Sequence, residues 1–281
     1  MSAYHRPTDL TEALDILAAG PVCVAAGCTD LFPVTETKTL PGPVLDITAI
    51  DALRGITRDD QGWRIGAATT WSDVIAADLP GGFDGLKLAA REVGSVQIQN
   101  AGTVAGNLCT ASPAGDGVPC LLTLDAEVEL QSASATRVVP LSLFLTGPRQ
   151  TNLAGDELVT AIHIPARSGR GHSHFLKLGA RKYLVISIAM IAIRLELSRD
   201  VVEHSAIAVG ACSPVATRLP GLEADLIGLP LQDLAARVTT AHVEPHLSPI
   251  DDIRADAGYR KGAATELIRR GLQDLAQGGS G

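Results

Sequence analysis

The sequence predicts an α+β protein, on three observations. Long β-rich runs at residues 174–178, 186–197 and 201–211 follow one another with little between them, as strands of an antiparallel sheet do. Helix-period segments at 231–243 and 255–277 come after those runs rather than alternating with them; the second carries Leu267, Ile268, Leu272 and Leu275 on one face. At the other end, a helix and two short strands suggest a small βαβ-type unit closing near residue 55.

Taken in order, the chain opens with Asp9-Leu10-Thr11-Glu12, a capping-box-like start, and Leu10, Ala13, Leu14 and Leu17 recur at helix spacing. Gly20-Pro21 ends that helix. A buried strand at 22–26 and a second at 44–47, after a Pro-Gly-Pro turn, complete the unit. The next unit begins with a strand at 63–68 and helices at 70–77 and 85–91, which lead into a glycine-rich loop at 97–116. A short apolar helix at 119–124 follows, then strands at 126–131, 137–140 and 157–164, with a polar connection at 147–155. Ala166-Arg167-Ser168-Gly169-Arg170-Gly171 is polar and glycine-bearing, a fair boundary. The expected division is therefore 1–170, in subdomains of about 1–55 and 56–170, followed by 171–281 with a flexible tail at 278–281.

Two stretches carry the chemistry. The loop Q-I-Q-N-A-G-T-V-A-G-N-L-C-T-A-S-P-A-G-D is poor in core residues and rich in glycine, hydroxyls and amides. Glycine lets the backbone approach a ligand without a Cβ in the way, and the small polar side chains add donors and acceptors around it. The second stretch, V-A-A-G-C-T-D-L-F-P, takes a strand into a glycine turn with Thr29 and Asp30 behind it. Such a turn presents successive backbone N–H groups, an arrangement that binds phosphate oxygens. Neither spacing matches the Rossmann or P-loop motifs. Two separate turns of this kind suit a bulky ligand with a diphosphate in its middle.

A-G-C-T-D-L, followed about seventy residues later by I-Q-N-A-G-T-V-A-G-N-L-C-T-A-S-P-A-G-D, resembles the FAD-binding subunit of the molybdenum hydroxylases. This family includes xanthine dehydrogenase, carbon monoxide dehydrogenase and aldehyde oxidoreductases. The resemblance runs from the opening helix to the closing R-A-D-A-G-Y-R-K. It implies a two-subdomain FAD-binding fold of the PCMH type, followed by a C-terminal domain of antiparallel sheet and helices. It implies that Ala26, Gly27, Cys28, Thr29, Asp30 and Leu31 clasp the diphosphate of non-covalent FAD from one side, and Thr103, Val104, Ala105, Gly106, Asn107 and Thr110 from the other. Asp116 resembles an acid that holds a ribose hydroxyl, while Val159 and Lys177 align with positions at the flavin end. A surface lysine on an edge strand is the other reading of Lys177.

The resemblance further implies an iron–sulfur small subunit carrying [2Fe–2S] and a large subunit carrying molybdopterin, in a dimer of heterotrimers, with NAD⁺ or oxygen as possible acceptors. Many members carry two glycines where this chain has Gly27-Cys28 and Ala105-Gly106; Ala105 is expected to resist positive φ and shift the clasp. An aromatic near Val93 and acids near Leu184 and Val185 are absent here, which questions an NAD site. A free-standing FAD-dependent reductase and a non-catalytic FAD-binding or assembly protein are the rival functions.

Composition restricts the rest. A net charge of −8 supplies no basic patch for nucleic acid, and no apolar run reaches membrane-spanning length. The first residues lack the apolar core of a signal peptide, so a cytoplasmic location is expected. Cys23, Cys28, Cys109, Cys120 and Cys212 include no C-x-x-C pair, so this chain is expected to hold no iron–sulfur cluster and its thiols to be reduced. Cys28 and Cys109 fall inside the two motifs without a histidine or base motif beside them, which favours packing over catalysis. His172 and His174 could ligate a metal as alternate strand residues, though a solvated pair is the commoner use. No catalytic side chain and no metal site is expected, because the flavin carries the redox chemistry.

Overall fold

The structure is a computed structural model that describes residues 3–36, 40, 42–182 and 184–278. It opens with a two-residue strand, β1 (Tyr4–His5), too short to show any periodicity in the sequence. Helix α1 (Leu10–Ala18) is capped by Asp9, whose carboxylate accepts the Thr11 and Glu12 amides, and it buries Ala13, Leu14 and Leu17 as their spacing requires. Strands β2 (Cys23–Ala25) and β3 (Val44–Asp46) follow, and β3 lies between β1 and β2 in a parallel sheet. The Pro-Gly-Pro turn before β3 lies partly outside the described residues, as do residues 279–281 of the expected tail.

Next come β4 (Ile56–Arg58), β5 (Gly62–Gly66) and α2 (Trp71–Ala76). Thr70 and Asp73 form a reciprocal capping box that fixes where α2 begins. Helix α3 (Asp84–Glu92) precedes the glycine-rich stretch, and here the expectation of a loop is corrected. Residues 97–116 contain most of α4 (Val96–Ala101) and all of α5 (Val104–Thr110). Val104, Ala105 and Leu108 enter the core and hold α5 in place, so tertiary burial outweighs the poor helix propensity of Gly, Asn and Thr.

Helix α6 (Gly117–Thr123) is buried along its whole length. Strands β6 (Glu127–Gln131) and β7 (Thr136–Pro140) lead through a single turn, α7 (Leu141–Phe144), to the hairpin β8 (Leu145–Gly147) and β9 (Gln150–Thr151). With β10 (Leu158–Pro165), these complete a five-stranded antiparallel sheet ordered β4-β5-β10-β6-β7.

The remaining sheet contains β11 (His172–Leu178), β12 (Ala189–Ser198), β13 (Val201–Gly210) and β14 (Thr217–Arg218), antiparallel and in sequence order. Residues 186–188, expected within a strand, lie ahead of β12. Helices α8 (Pro220–Leu226), α9 (Leu234–Arg237), α10 (Thr240–Val243) and α11 (Ala257–Gly278) follow. The single helix expected at 231–243 is broken because Val238, with φ −69° and ψ 121°, leaves the helical region. Both faces of this sheet are covered, which explains the continuous apolar run of β12. Met190 and Ala192 point into the core shared with the first part of the chain, while Ile191, Ile193 and Leu195 pack in a second core with Leu222, Ile268 and Leu272.

Candidate functional site

A cavity of about 780 Å³ opens where the end of β2, helices α4 and α5, the β8–β9 hairpin and the segment before β12 meet. Every residue expected at the site except Val104 lines it: Ala26, Gly27, Cys28, Thr29, Asp30, Leu31, Thr103, Ala105, Gly106, Asn107, Thr110, Asp116, Val159 and Lys177. Val104 is fully buried, and its amide is already bonded to the Thr69 carbonyl at 3.0 Å.

The first wall is the turn after β2. A Cβ on Gly27 would lie 1.9 Å from the Ala101 carbonyl oxygen, so this turn and the end of α4 touch backbone to backbone. The following residue, Cys28, takes the left-handed conformation with φ +56°. The amides of Gly27, Cys28, Thr29, Asp30 and Leu31 find no acceptor among the described residues. Unpaired amides in succession, with one residue left-handed, form a concave donor set suited to an anion.

The strain expected at Ala105 falls instead on Cys28. Ala105 is the second residue of α5, has no positive φ and packs its methyl into the core. A left-handed residue with a side chain costs about 1–2 kcal/mol, whereas glycine adds about 0.5–1 kcal/mol of unfolded-chain entropy. Cys28→Gly should therefore raise stability by up to about 1 kcal/mol without weakening ligand binding. Thermal melts of the two proteins check this, and a lower melting temperature for the variant would refute it.

The opposite wall is α5. Thr103 caps it, its Oγ1 accepting the Gly106 amide at 3.0 Å, and the Asn107 amide bonds the Thr103 carbonyl. Those two amides are thus spent within the chain, while the Ala105 amide has no acceptor among the described residues. The Asn107 Oδ1 also lacks a partner, but it is buried and turned toward Gly115 and Gly117.

Asp116 and Lys177 meet at the other end of the cavity. Lys177 Nζ lies 2.6 Å from Asp116 Oδ2, and both side chains are only 8 % exposed. Ser187 donates to Asp116 Oδ1 at 2.8 Å. Burial pushes the Asp116 carboxyl above its ordinary value, and the Lys177 ammonium is the strongest influence pulling it back. Lys177 does lie on an edge strand, yet its side chain is buried rather than solvated. Val93, Val159, Leu184, Val185 and Ile186 add aliphatic lining to the cavity, and Glu92 lines it too.

The cysteines in the motifs carry no activating environment. Burial raises the Cys28 thiol and pushes Cys109 up to about 12, although the Cys109 surface opens onto the cavity. Neither is a thiolate nucleophile near neutral pH. His174 bonds Asp274, and no group of residues that could hold a metal occurs among the described residues.

Two wall residues were not anticipated. Arg149, at the tip of the β8–β9 hairpin, lies 2.7 Å from Asp30 Oδ2, and Thr110 Oγ1 is 3.5 Å from the same oxygen. The pair ties the first turn to the end of α5. Trp71, buried at the start of α2, lines the cavity and packs so close to Gly117 that a Cβ there would lie 2.4 Å from its ring. Arg149 has a turn signal in Gly147-Pro148, but nothing local ties it to a residue so distant in sequence.

A cavity of this size, with an anion-binding turn in its wall and an aliphatic end bearing a buried cation, defines a site for a large aromatic dinucleotide. Family comparisons identify which. Residues 1–167 match the FAD binding domain in molybdopterin dehydrogenase, and residues 174–275 match the CO dehydrogenase flavoprotein C-terminal domain. The chain belongs to this family: it is an FAD-binding medium subunit of the molybdenum hydroxylases.

The chain is 30 % identical to the nicotine 6-hydroxylase medium subunit of Paenarthrobacter nicotinovorans, covering 95 % of this chain and 94 % of that protein. It is 28 % identical to the glyceraldehyde dehydrogenase medium chain of Sulfolobus acidocaldarius, covering 98 % of each. Carbon monoxide dehydrogenase from Hydrogenophaga pseudoflava, solved without the Mo-pyranopterin moiety of its cofactor, superposes with a TM-score of 0.87 at 27 % identity, over 97 % of this chain and 96 % of that one. These relatives are subunits of oxidoreductases. Among the described residues no helix is long and apolar enough to cross a membrane.

Proposed function

We propose that this chain is the electron-relay subunit of a molybdenum hydroxylase. It would take electrons from a [2Fe–2S] small subunit and deliver them from non-covalent FAD to an acceptor, while the hydroxylation itself occurs at molybdopterin in a large subunit. The observation that carries this is the run of unpaired amides at residues 27–31 on the wall of a cavity that Asp116 and Lys177 also line. Bound FAD would supply a carrier that takes electrons one at a time from a one-electron cluster and gives them up singly or together.

The chain's own residues bind and orient it. The amides of Gly27, Cys28, Thr29, Asp30 and Leu31, with that of Ala105, hold the diphosphate, and the hydroxyls of Thr29 and Thr103 add donors. Arg149, fixed by Asp30 and Thr110, places a cation beside the clasp. Val159 and Lys177 flank the flavin end. Val93, Leu184 and Val185 put no charged group there, which leaves oxygen or an apolar carrier better suited than NAD⁺ as acceptor. We place the boundary between the FAD-binding part and the C-terminal domain near residues 170 and 171, and the complex in the cytoplasm as a dimer of heterotrimers.

Purification of a tagged chain from its native host tests the assembly. Stoichiometric iron and molybdenum should accompany it, and acid should release yellow flavin into the supernatant. Flavin that stays with the pellet would contradict non-covalent binding. The chain alone should hydroxylate no purine, aldehyde or heteroaromatic ring. A solitary chain that oxidises NAD(P)H at about 1 s⁻¹ or faster would instead be a free-standing reductase.

A further inference from the structure

Asp116 is expected to hold a ribose hydroxyl, yet in the structure both its oxygens are engaged by protein. Oδ2 accepts from Lys177 Nζ at 2.6 Å and Oδ1 from Ser187 Oγ at 2.8 Å. The three residues come from the start of α6, the end of β11 and the segment just ahead of β12. Ser187 is 2 % exposed, so the arrangement is closed to water on its far side. Its open side is the cavity, which Lys177 lines together with Val159, Val185 and Ile186.

The 2.6 Å contact with Asp116 Oδ2 fixes where the Lys177 ammonium stands, and Ser187 keeps the carboxylate turned toward it by occupying the other oxygen. Glu92 also lines the cavity and disfavours charge on Asp116, as burial does, while Lys177 favours it. A fixed ammonium on the wall stabilises electron density added to a neighbouring ring, and the adjoining carboxylate offsets part of that effect.

We infer that Ser187 and Asp116 are positioning residues that hold the Lys177 ammonium at the flavin end and thereby set the reduction potential of the bound cofactor. This rests on the assignment of the cavity to FAD. It differs from a ribose clamp in what it changes: a clamp contributes to affinity, whereas this relay acts on potential through the lysine.

The test is a double-mutant cycle on the full chain loaded with FAD, reading both the flavin midpoint potential and the dissociation constant. Lys177→Met should make the cofactor harder to reduce by about tenfold in the equilibrium, or ~30 mV for a two-electron couple. Asp116→Asn and Ser187→Ala should move the midpoint in the same direction as Lys177→Met but less, because each frees the ammonium to leave the ring. In the Lys177→Met background, neither Asp116→Asn nor Ser187→Ala should make the cofactor any harder to reduce. Midpoints that shift equally in both backgrounds, or that stay fixed while affinity falls, would overturn the relay and return Asp116 to the ribose. Lys177→Arg, which keeps the charge, should restore most of the parent potential; a potential like that of Lys177→Met would count against the relay. A parent chain that binds no FAD would overturn the cofactor assignment instead.

Discussion

Gly27→Ala should yield a chain that binds no flavin and melts well below the parent. The substitution adds a single methyl, but that methyl would lie 1.9 Å from the Ala101 carbonyl oxygen, 2.6 Å from its carbon and 2.8 Å from Gly102 Cα. All three are backbone atoms at the junction between α4 and α5, so no side chain can rotate to make room. The first turn would have to move off α4, spreading the amides of residues 27–31 away from Ala105 and Asn107. Overpacking of this kind costs about 1–3 kcal/mol, and more where backbone must shift. The loss of the ligand's own stabilising contribution adds to it. Visible flavin absorbance after gel filtration and a thermal melt read the two effects. Gly221→Ala, in a helix where the new Cβ meets nothing within 4 Å, is the control and should be neutral or slightly stabilising. Parent-like flavin content in Gly27→Ala would show that contact between the two turns is not what builds the site.

What was legible in the sequence follows from where the information lies. Asp9 and the Leu10, Ala13, Leu14 and Leu17 spacing specify α1 locally, and the structure has that helix with that cap and that buried face. Thr70 and Asp73 do the same for α2. The glycine turns announced themselves because close backbone approach excludes almost every other residue type. Their secondary structure did not. The seven-residue α5, with Gly, Asn and Thr among its residues, has little helical preference of its own and exists here because Val104 and Leu108 are buried.

The unanticipated contacts of Arg149 and Ser187 share one cause, which is distance along the chain. Arg149 meets Asp30 across 119 residues, and Ser187 meets Asp116 across 71. No local pattern marks either pair. Lys177 shows the same limit from the other side. Its place on an edge strand was legible, but its burial depends on Asp116, whose position only the fold supplies. Cys28 was visible as a departure from a double glycine, while the conformational cost was expected at Ala105. The φ values assign that cost to Cys28, because Ala105 is already inside a helix.

Replacing Arg260 by leucine should destabilise the chain by about 2–4 kcal/mol, an effect rooted in the R-A-D-A-G-Y-R-K segment that opens α11. Arg260 is only 3 % exposed. Its Nη1 donates to the Ile188 carbonyl at 2.6 Å and to the Ala211 carbonyl at 3.2 Å, and its Nη2 lies 2.7 Å from Asp252 Oδ1. One side chain thus fastens the start of α11 to both the entry of β12 and the exit of β13. Leucine fills part of the volume but donates nothing, leaving two carbonyls short of donors at about 1–3 kcal/mol each. Asp252 should keep much of its acidity without Arg260. Its carboxyl is held down to about 2 chiefly by the Arg254 backbone amide, with the Arg254 and Arg260 guanidiniums following. A carboxyl depressed in the folded state contributes stability above its ordinary value and loses it as pH falls through about 2, so the variant should retain part of that acid dependence. Chemical denaturation at neutral pH measures the main effect, and a midpoint unchanged from the parent would sink it. Because Ile188 adjoins Ser187, the flavin midpoint of the folded variant should also move toward that of Ser187→Ala, linking the closing helix to the far end of the cavity.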